Sequence, residues 1–184
     1  MSSSGIVSKR ATSRRVIWFE DYLRPGRRDN LRALLTVLSA ANVEVLEATS
    51  LSQLQSHLLA FGAASVSGLM VDIMVALPDD ENSLAPLGIG SVRVQSFDVG
   101  RCIVEYLERC TATDASTVHL AKFRSHPLLI LSSLDVHLAE WQIALTSNKQ
   151  FVTSIYKGQN DAPTQLRNWI ESLPPLGNAP AVNG

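Results

Sequence analysis

The sequence predicts a doubly wound α/β sheet, and three observations carry that prediction. Short apolar runs recur along the chain with amphipathic helical segments between them. The runs lack in/out alternation, which is the pattern of parallel strands covered on both faces. Right-handed crossovers between such strands place helices on either side of the sheet.

The elements follow in order. Val16-Ile17-Trp18-Phe19 is the first strand. The next helix carries Leu31, Leu34, Leu35 and Leu38 on one stripe, with Asp29 as its N-cap. Val43 to Leu46 forms the second strand. The second helix carries Leu51, Leu54, Leu58 and Leu59, is capped by Ser50 and stops at Gly62. Leu69-Met70-Val71 is the third strand. Residues 74–96 read as a long loop, because Pro78, Asp79, Asp80, Asn82, Pro86, Gly88 and Gly90 break every period. Such a loop is either functional or disordered. A third helix then places Val99, Ile103, Tyr106, Leu107 and Cys110 on one face. A polar stretch near residues 111–117 and a short helical turn lead to His126-Pro127. The fourth strand is Leu128 to Leu131, and the fourth helix carries Leu134, Leu138, Trp141 and Leu145. Phe151 to Tyr156 is the fifth strand; Leu166, Trp169, Ile170 and Leu173 mark the fifth helix. Five parallel strands of this kind suit the flavodoxin-like order 2-1-3-4-5, which makes strands one and three neighbours at the switch point.

Composition bounds the rest. The 184 residues suit one domain with tails. Residues 1–14 are Ser-rich and basic and are expected to be disordered, 15–173 form the domain, and 174–184 form a loose Pro/Gly/Asn tail. Hydrophobic content of 46% is enough for one sizeable core. A net charge of −1 argues against a dedicated nucleic-acid binder. Half of the 16 Lys and Arg fall in residues 1–32: Lys9, Arg10, Arg14, Arg15, Arg24, Arg27, Arg28 and Arg32. They are either a solubilising arm with an exposed loop or a contact surface for an acidic or phosphorylated partner. Cys102 and Cys110 fall on one predicted helix, too far apart to bond to each other. The four histidines, His57, His119, His126 and His137, make no metal pattern. The chain lacks an apolar stretch of membrane-spanning length and a secretory core at its start. A soluble cytoplasmic protein is the expectation.

The polar residues behind the apolar runs are the informative ones. Strand one ends in Glu20-Asp21, strand three in Asp72, strand four in Ser132-Ser133 and strand five in Lys157. Open α/β sheets put their ligand sites at the C-terminal ends of the strands. Three clustered carboxylates repel one another, and a divalent cation relieves this; oxygen ligands suit Mg²⁺ or Mn²⁺. A lysine and a hydroxyl opposite would hold phosphate oxygens. This is a layout for phosphoryl transfer, with Asp72 as nucleophile.

The order of acidic pair, lone Asp, Ser, then Lys at successive strand ends resembles the receiver domain of two-component response regulators, in its CheY-like form. The resemblance covers roughly residues 15–173. It implies that Glu20 and Asp21 bind Mg²⁺, that Asp72 accepts the phosphoryl group, and that the backbone carbonyl of Met74 completes the metal site. The run from Pro127 to Ser132 matches the family's approach to its switch hydroxyl; Ser133 fits the small residue after it, and Lys157 matches the phosphoryl-contacting lysine. Four features depart from the family pattern. Gly158 stands where the family has a cis-Pro. Ser154 stands where the switch aromatic belongs, with Tyr156 as the alternative aromatic beside the lysine. Glu20 replaces the commoner Asp, and the loop after Asp72 is much longer.

The function implied is a stand-alone receiver, phosphorylated by a histidine kinase or phosphotransfer protein and read by a downstream protein. It would not be an enzyme beyond self-phosphorylation from small donors and slow hydrolysis. No DNA-binding output domain is expected after residue 173. The readout or homodimer face would be the fourth helix, fifth strand and fifth helix. A phosphorylation-independent receiver-like interaction module is the alternative. A Mg²⁺-dependent phosphohydrolase lacks a second Asp near Asp72, where Ile73 and Met74 stand, and lacks a Gly-rich phosphate loop.

Overall fold

The computed structural model describes residues 14–77, 83–89, 99–111, 113, 118–133 and 152–176. One sheet runs through it: β1 Arg14–Phe19, β2 Val43–Ala48, β3 Gly68–Asp72, β4 Leu128–Ser132 and β5 Val152–Tyr156. The strand order is β2-β1-β3-β4-β5, and every pairing is parallel. The fold is therefore the flavodoxin-like arrangement expected from the apolar runs.

Alternate residues of each strand feed two separate core layers. Ile17, Phe19, Leu69, Val71, Leu128 and Ile130 face α2 (Leu51–Phe61) and α3 (Val99–Arg109). Val16, Trp18, Met70, Leu129, Leu131 and Ile155 face α1 (Arg32–Ala40) and α4 (Ala162–Ser172). Both faces of the central strands are covered, which is why the runs show no polar alternation. Each fully buried Leu, Phe or Met contributes about 1.5–3 kcal/mol of apolar transfer.

Helix boundaries are chemical. The Ser50 hydroxyl accepts the Gln53 N–H at 3.2 Å and caps α2; losing such a cap costs about 1 kcal/mol. Gly62, at φ 58°, ends that helix in a conformation that favours glycine. Asp29 does not cap α1. It lies in a 3-10 turn, Arg28–Leu31, that precedes the helix, and it pairs instead with Arg32 at 2.7 Å. Leu59 is 52% exposed rather than buried with Leu54 and Leu58. β1 begins at Arg14, inside the segment expected to be tail.

The described residues of the expected loop after Asp72 are partly seated in the core. Val75, Leu77, Leu84 and Leu87 are buried in the α2/α3 layer, and Ala85–Leu87 forms a 3-10 turn against α2. Pro and Gly interrupted the period without removing the apolar residues that seat the segment. The short turn before His126 is present as a 3-10 helix, His119–Phe123. The helix expected around Leu138, with Trp141, lies outside the described residues, as do 1–13 and 177–184. The other two elements of the face expected for readout, β5 and α4, are described. None of the described helices is long and apolar enough to cross a membrane. Cys102 and Cys110 are thiols.

The described arginines of the basic N-terminal region are engaged within the fold. Arg15 pairs with Glu44, Arg27 with Asp21, Arg28 with Glu47 and Arg32 with Asp29. Arg14 and Arg24 donate to the carbonyls of Leu173 and Thr49.

Candidate functional site

The ends of β1, β3, β4 and β5 converge because the strands are parallel and in register. Phe19 pairs with Val71, Asp72 with Leu131, and Ser132 with Tyr156. Each candidate residue sits on the last strand position or within two residues of it. The structure thus brings together Glu20, Asp21, Asp72 and Lys157 across three strand ends and 137 positions of sequence.

Local structure fixes each side chain. Glu20 is the N-cap of a 3-10 turn, Asp21–Leu23, and its Oε1 accepts the Tyr22 N–H at 3.3 Å. That leaves Oε2 for Lys157, whose Nζ donates to it at 2.7 Å. Lys157 Nζ also donates to Asp72 Oδ2 at 2.8 Å. Asp72 Oδ1 accepts the Met74 N–H at 3.1 Å, which holds the turn leaving β3. Asp21 Oδ2 is met by Arg27 Nη1 at 3.2 Å. Lys157 is anchored through its backbone, whose N–H donates to the Ser132 carbonyl at 2.8 Å. Tyr22 presents its ring 5.2 Å from the Lys157 ammonium and 5.8 Å from the Arg27 guanidinium. The tyrosine thus roofs both cations of the site.

The site is buried. Glu20 and Ser132 are fully shielded, Asp21 and Asp72 nearly so, and the Lys157 side chain is 7% exposed. Ligand oxygens of Glu20, Asp21 and Asp72 lie within 4.8 Å of one another. Three carboxylates face two cationic side chains, Lys157 and Arg27, so ionising all of them leaves an excess negative charge out of water. Glu20 responds most: burial, then the charge of Asp72, push its carboxyl up to about 8. Asp21 is also raised, first by burial and then by Asp72. Burial by itself would lower the Lys157 ammonium, but the charges of Asp72 and Glu20 outweigh it and its pKa is raised. The ammonium is therefore a fixed positive charge, while the Glu20 carboxyl is shifted towards its protonated form.

Glu20, Asp21 and Asp72 could hold a metal ion: they offer hard carboxylate oxygens of the kind that Mg²⁺ or Mn²⁺ takes. Among the described residues, the cluster holds no His or Cys, the ligands that zinc takes readily.

The other expected residues stand as follows. Ser132 closes β4 fully buried, while Ser133 is exposed one position beyond. Met74 meets the site through its N–H on Asp72. Tyr156 is half-buried and packs on the α2/α3 layer. Its ring stands where a side chain at position 158 would go: a Cβ on Gly158 would lie 2.8 Å from the phenol. Ser154 pairs with Ile130 within the sheet. Arg27 and Tyr22 were not expected; a basic residue six positions after a paired acid was their sole sequence signal.

No family model matches the sequence, and no curated protein matches it. Six chains of solved structure match. One is a yeast Spc42 trimeric coiled-coil segment fused to another structure. It aligns at 10% identity over 88% of this chain and 78% of its own, with a TM-score of 0.48, and that likeness carries no information about function.

Proposed function

We propose that this chain is a receiver module that accepts a phosphoryl group on Asp72 and signals through a changed protein surface. One observation carries the reading. Asp72 ends the central strand with Glu20 and Asp21 within 4.8 Å on one side and the Lys157 ammonium at 2.8 Å. An acid pair, an acceptor carboxylate and a lysine from three strand ends form the minimum set for phosphoryl transfer to a carboxylate.

The residues divide the work. Glu20, Asp21 and Asp72, with the Met74 carbonyl, would hold the divalent cation. When bound, that cation offsets negative charge on the transferring phosphoryl oxygens. The Met74 N–H on Oδ1 and the Lys157 ammonium on Oδ2 orient the Asp72 carboxylate. A carboxylate oxygen attacks phosphorus of a phosphohistidine or of acetyl phosphate. An O–P bond forms, the donor's N–P or O–P bond breaks, and the electron pair leaves with imidazole or acetate. Lys157 then transfers a hydrogen bond from Asp72 to a phosphoryl oxygen, and the Ser132 hydroxyl donates to another. Those contacts exist only in the phosphorylated state, so they bias the conformational equilibrium that a partner protein reads.

A second reading, a receiver-like interaction module independent of phosphate, is favoured by one observation. The Tyr156 ring is wedged against Gly158 beside Lys157, which gives the aromatic little freedom to change position.

Incubation with Mg²⁺ and acetyl phosphate tests the proposal by mass. The expected result is one base-labile phosphoryl group on the wild type, none on Asp72→Asn and none in chelator. An unmodified wild type, or equal labelling of the variant, would sink it. If labelling occurs but beryllofluoride leaves partner binding unchanged, the interaction reading holds instead.

A further inference from the structure

We infer that Gly100, in the first turn of α3, is a positioning residue for Asp72. The inference rests on the reading of Asp72 as phosphoacceptor. The observation is steric. A Cβ at position 100 would overlap the carbonyl oxygen of Asp72, and it would lie 2.9 Å from the Asp72 carbonyl carbon and from the Ile73 Cα. All three atoms are backbone, so no rotamer change can make room. The helix therefore rests directly on the peptide that joins the acceptor to the next residue. Its seating is also buried: Val99, Gly100, Ile103 and Val104 are all shielded from solvent.

This contact closes a circuit. The chain leaves the site through Met74, whose N–H holds Asp72 Oδ1. It returns at Gly100, against the Asp72 carbonyl. The same two residues of backbone, Asp72 and Ile73, carry the side-chain-orienting turn and the floor of α3. Pushing α3 away must rotate or shift that peptide, and the carboxylate turns with it. Reacting groups tolerate little of this, since a misplacement of about 1 Å can cost on the order of a hundredfold in rate. The sequence carries an independent sign. Glycine is a poorer helix former than alanine, and here its missing side chain is what the close approach to the Asp72 backbone requires.

Gly68 provides the control. It begins the same strand at the end away from the site, and a Cβ there would lie 2.9–3.0 Å from Leu173 Cδ2, Trp169 Cζ2 and the Pro127 carbonyl. Gly68→Ala therefore crowds the core without touching the acceptor.

The experiment compares wild type, Gly100→Ala and Gly68→Ala in the intact chain, at a temperature where circular dichroism shows each folded. Labelling by acetyl phosphate with Mg²⁺ is followed by mass, and Mg²⁺ affinity by calorimetry. Gly100→Ala should label about tenfold or more slowly and bind Mg²⁺ more weakly. Gly68→Ala should match wild type in both, although it melts earlier. Labelling of Gly100→Ala at the wild-type rate, or equal slowing of both variants, overturns the inference alone. A wild type that takes no label overturns the reading of Asp72, and the inference with it. If Gly100→Ala does not fold, amide exchange on the wild type decides. Mg²⁺ with beryllofluoride should change protection in the first turn of α3, and unchanged protection there overturns the inference.

Discussion

The ammonium of Lys157 bridges Glu20 and Asp72, at 2.7 Å and 2.8 Å, and so ties the end of an edge strand to the two central ones. It is the one cation of the cluster that is shielded from water, since the Arg27 side chain is 58% exposed. The bridge is therefore a structural element of the sheet, and its removal is a direct test of the cluster.

Lys157→Met should be strongly destabilising in chelator, because it strands two buried carboxylates. Breaking one side of a buried pair costs about 3–5 kcal/mol. Added Mg²⁺ should restore part of the loss by supplying the missing charge. Urea unfolding with and without the cation measures both effects. An unchanged midpoint in chelator would show that the bridge bears no load.

The pH dependence has a definite sign. The Glu20 carboxyl is pushed from 4.5 up to about 8, so between those values the folded state binds more protons than the unfolded chain. Stability from this group is fully present below 4.5 and is lost as pH rises through about 8. Asp21, raised from 3.8, contributes in the same direction. Lys157, raised above 10.5, contributes stability that is lost only at more alkaline pH. In chelator the urea midpoint should fall across the Glu20 window, and Glu20→Gln or Mg²⁺ should flatten the slope. A wild-type midpoint that rises with pH across that window contradicts the assignment.

Asp72→Asn should lower the pKa of Glu20. The charge of Asp72 is the second cause of that shift after burial, and the substitution removes it while Asn Oδ1 can still accept the Met74 N–H. Carboxyl carbon NMR of Glu20 in the two proteins reads the change directly. A Glu20 titration that stays put or moves up rejects the coupling.

Arg27→Ala should leave stability within about 1 kcal/mol, as expected for a largely exposed pair. It should tighten Mg²⁺ binding, because the guanidinium and the cation compete for Asp21 Oδ2. Calorimetric titration of both proteins is the measurement. Weaker binding in the variant would mean that Arg27 assists the cation rather than displacing it.

Much of this site was legible because it lies where apolar runs stop. Glu20, Asp72, Ser132 and Lys157 each follow or end a run, and parallel pairing leaves few ways to arrange four such ends. What was not legible depends on the chain returning to the site from elsewhere. Arg27 reaches Asp21 only because two short 3-10 turns fold it back. Gly100 meets Asp72 after a segment whose breakers hid its buried residues Val75, Leu77, Leu84 and Leu87. Asp29 misled because an acidic residue ahead of an apolar stripe looks the same whether it caps the helix or pairs one turn later.

The span of the Lys157–Glu20 bridge also bears on how the molecule assembles. The two residues are 137 positions apart, so their contact closes nearly the whole domain into one loop. Contacts of that range carry the largest loop-closure entropy and slow folding most. Until β5 docks at the sheet edge, the three carboxylates have no ammonium between them, and Asp72 Oδ2 lacks its Lys157 partner. Completion of the cluster therefore waits on the strand that closes the sheet edge, and a chain arrested before β5 arrives holds three carboxylates without their buried cation.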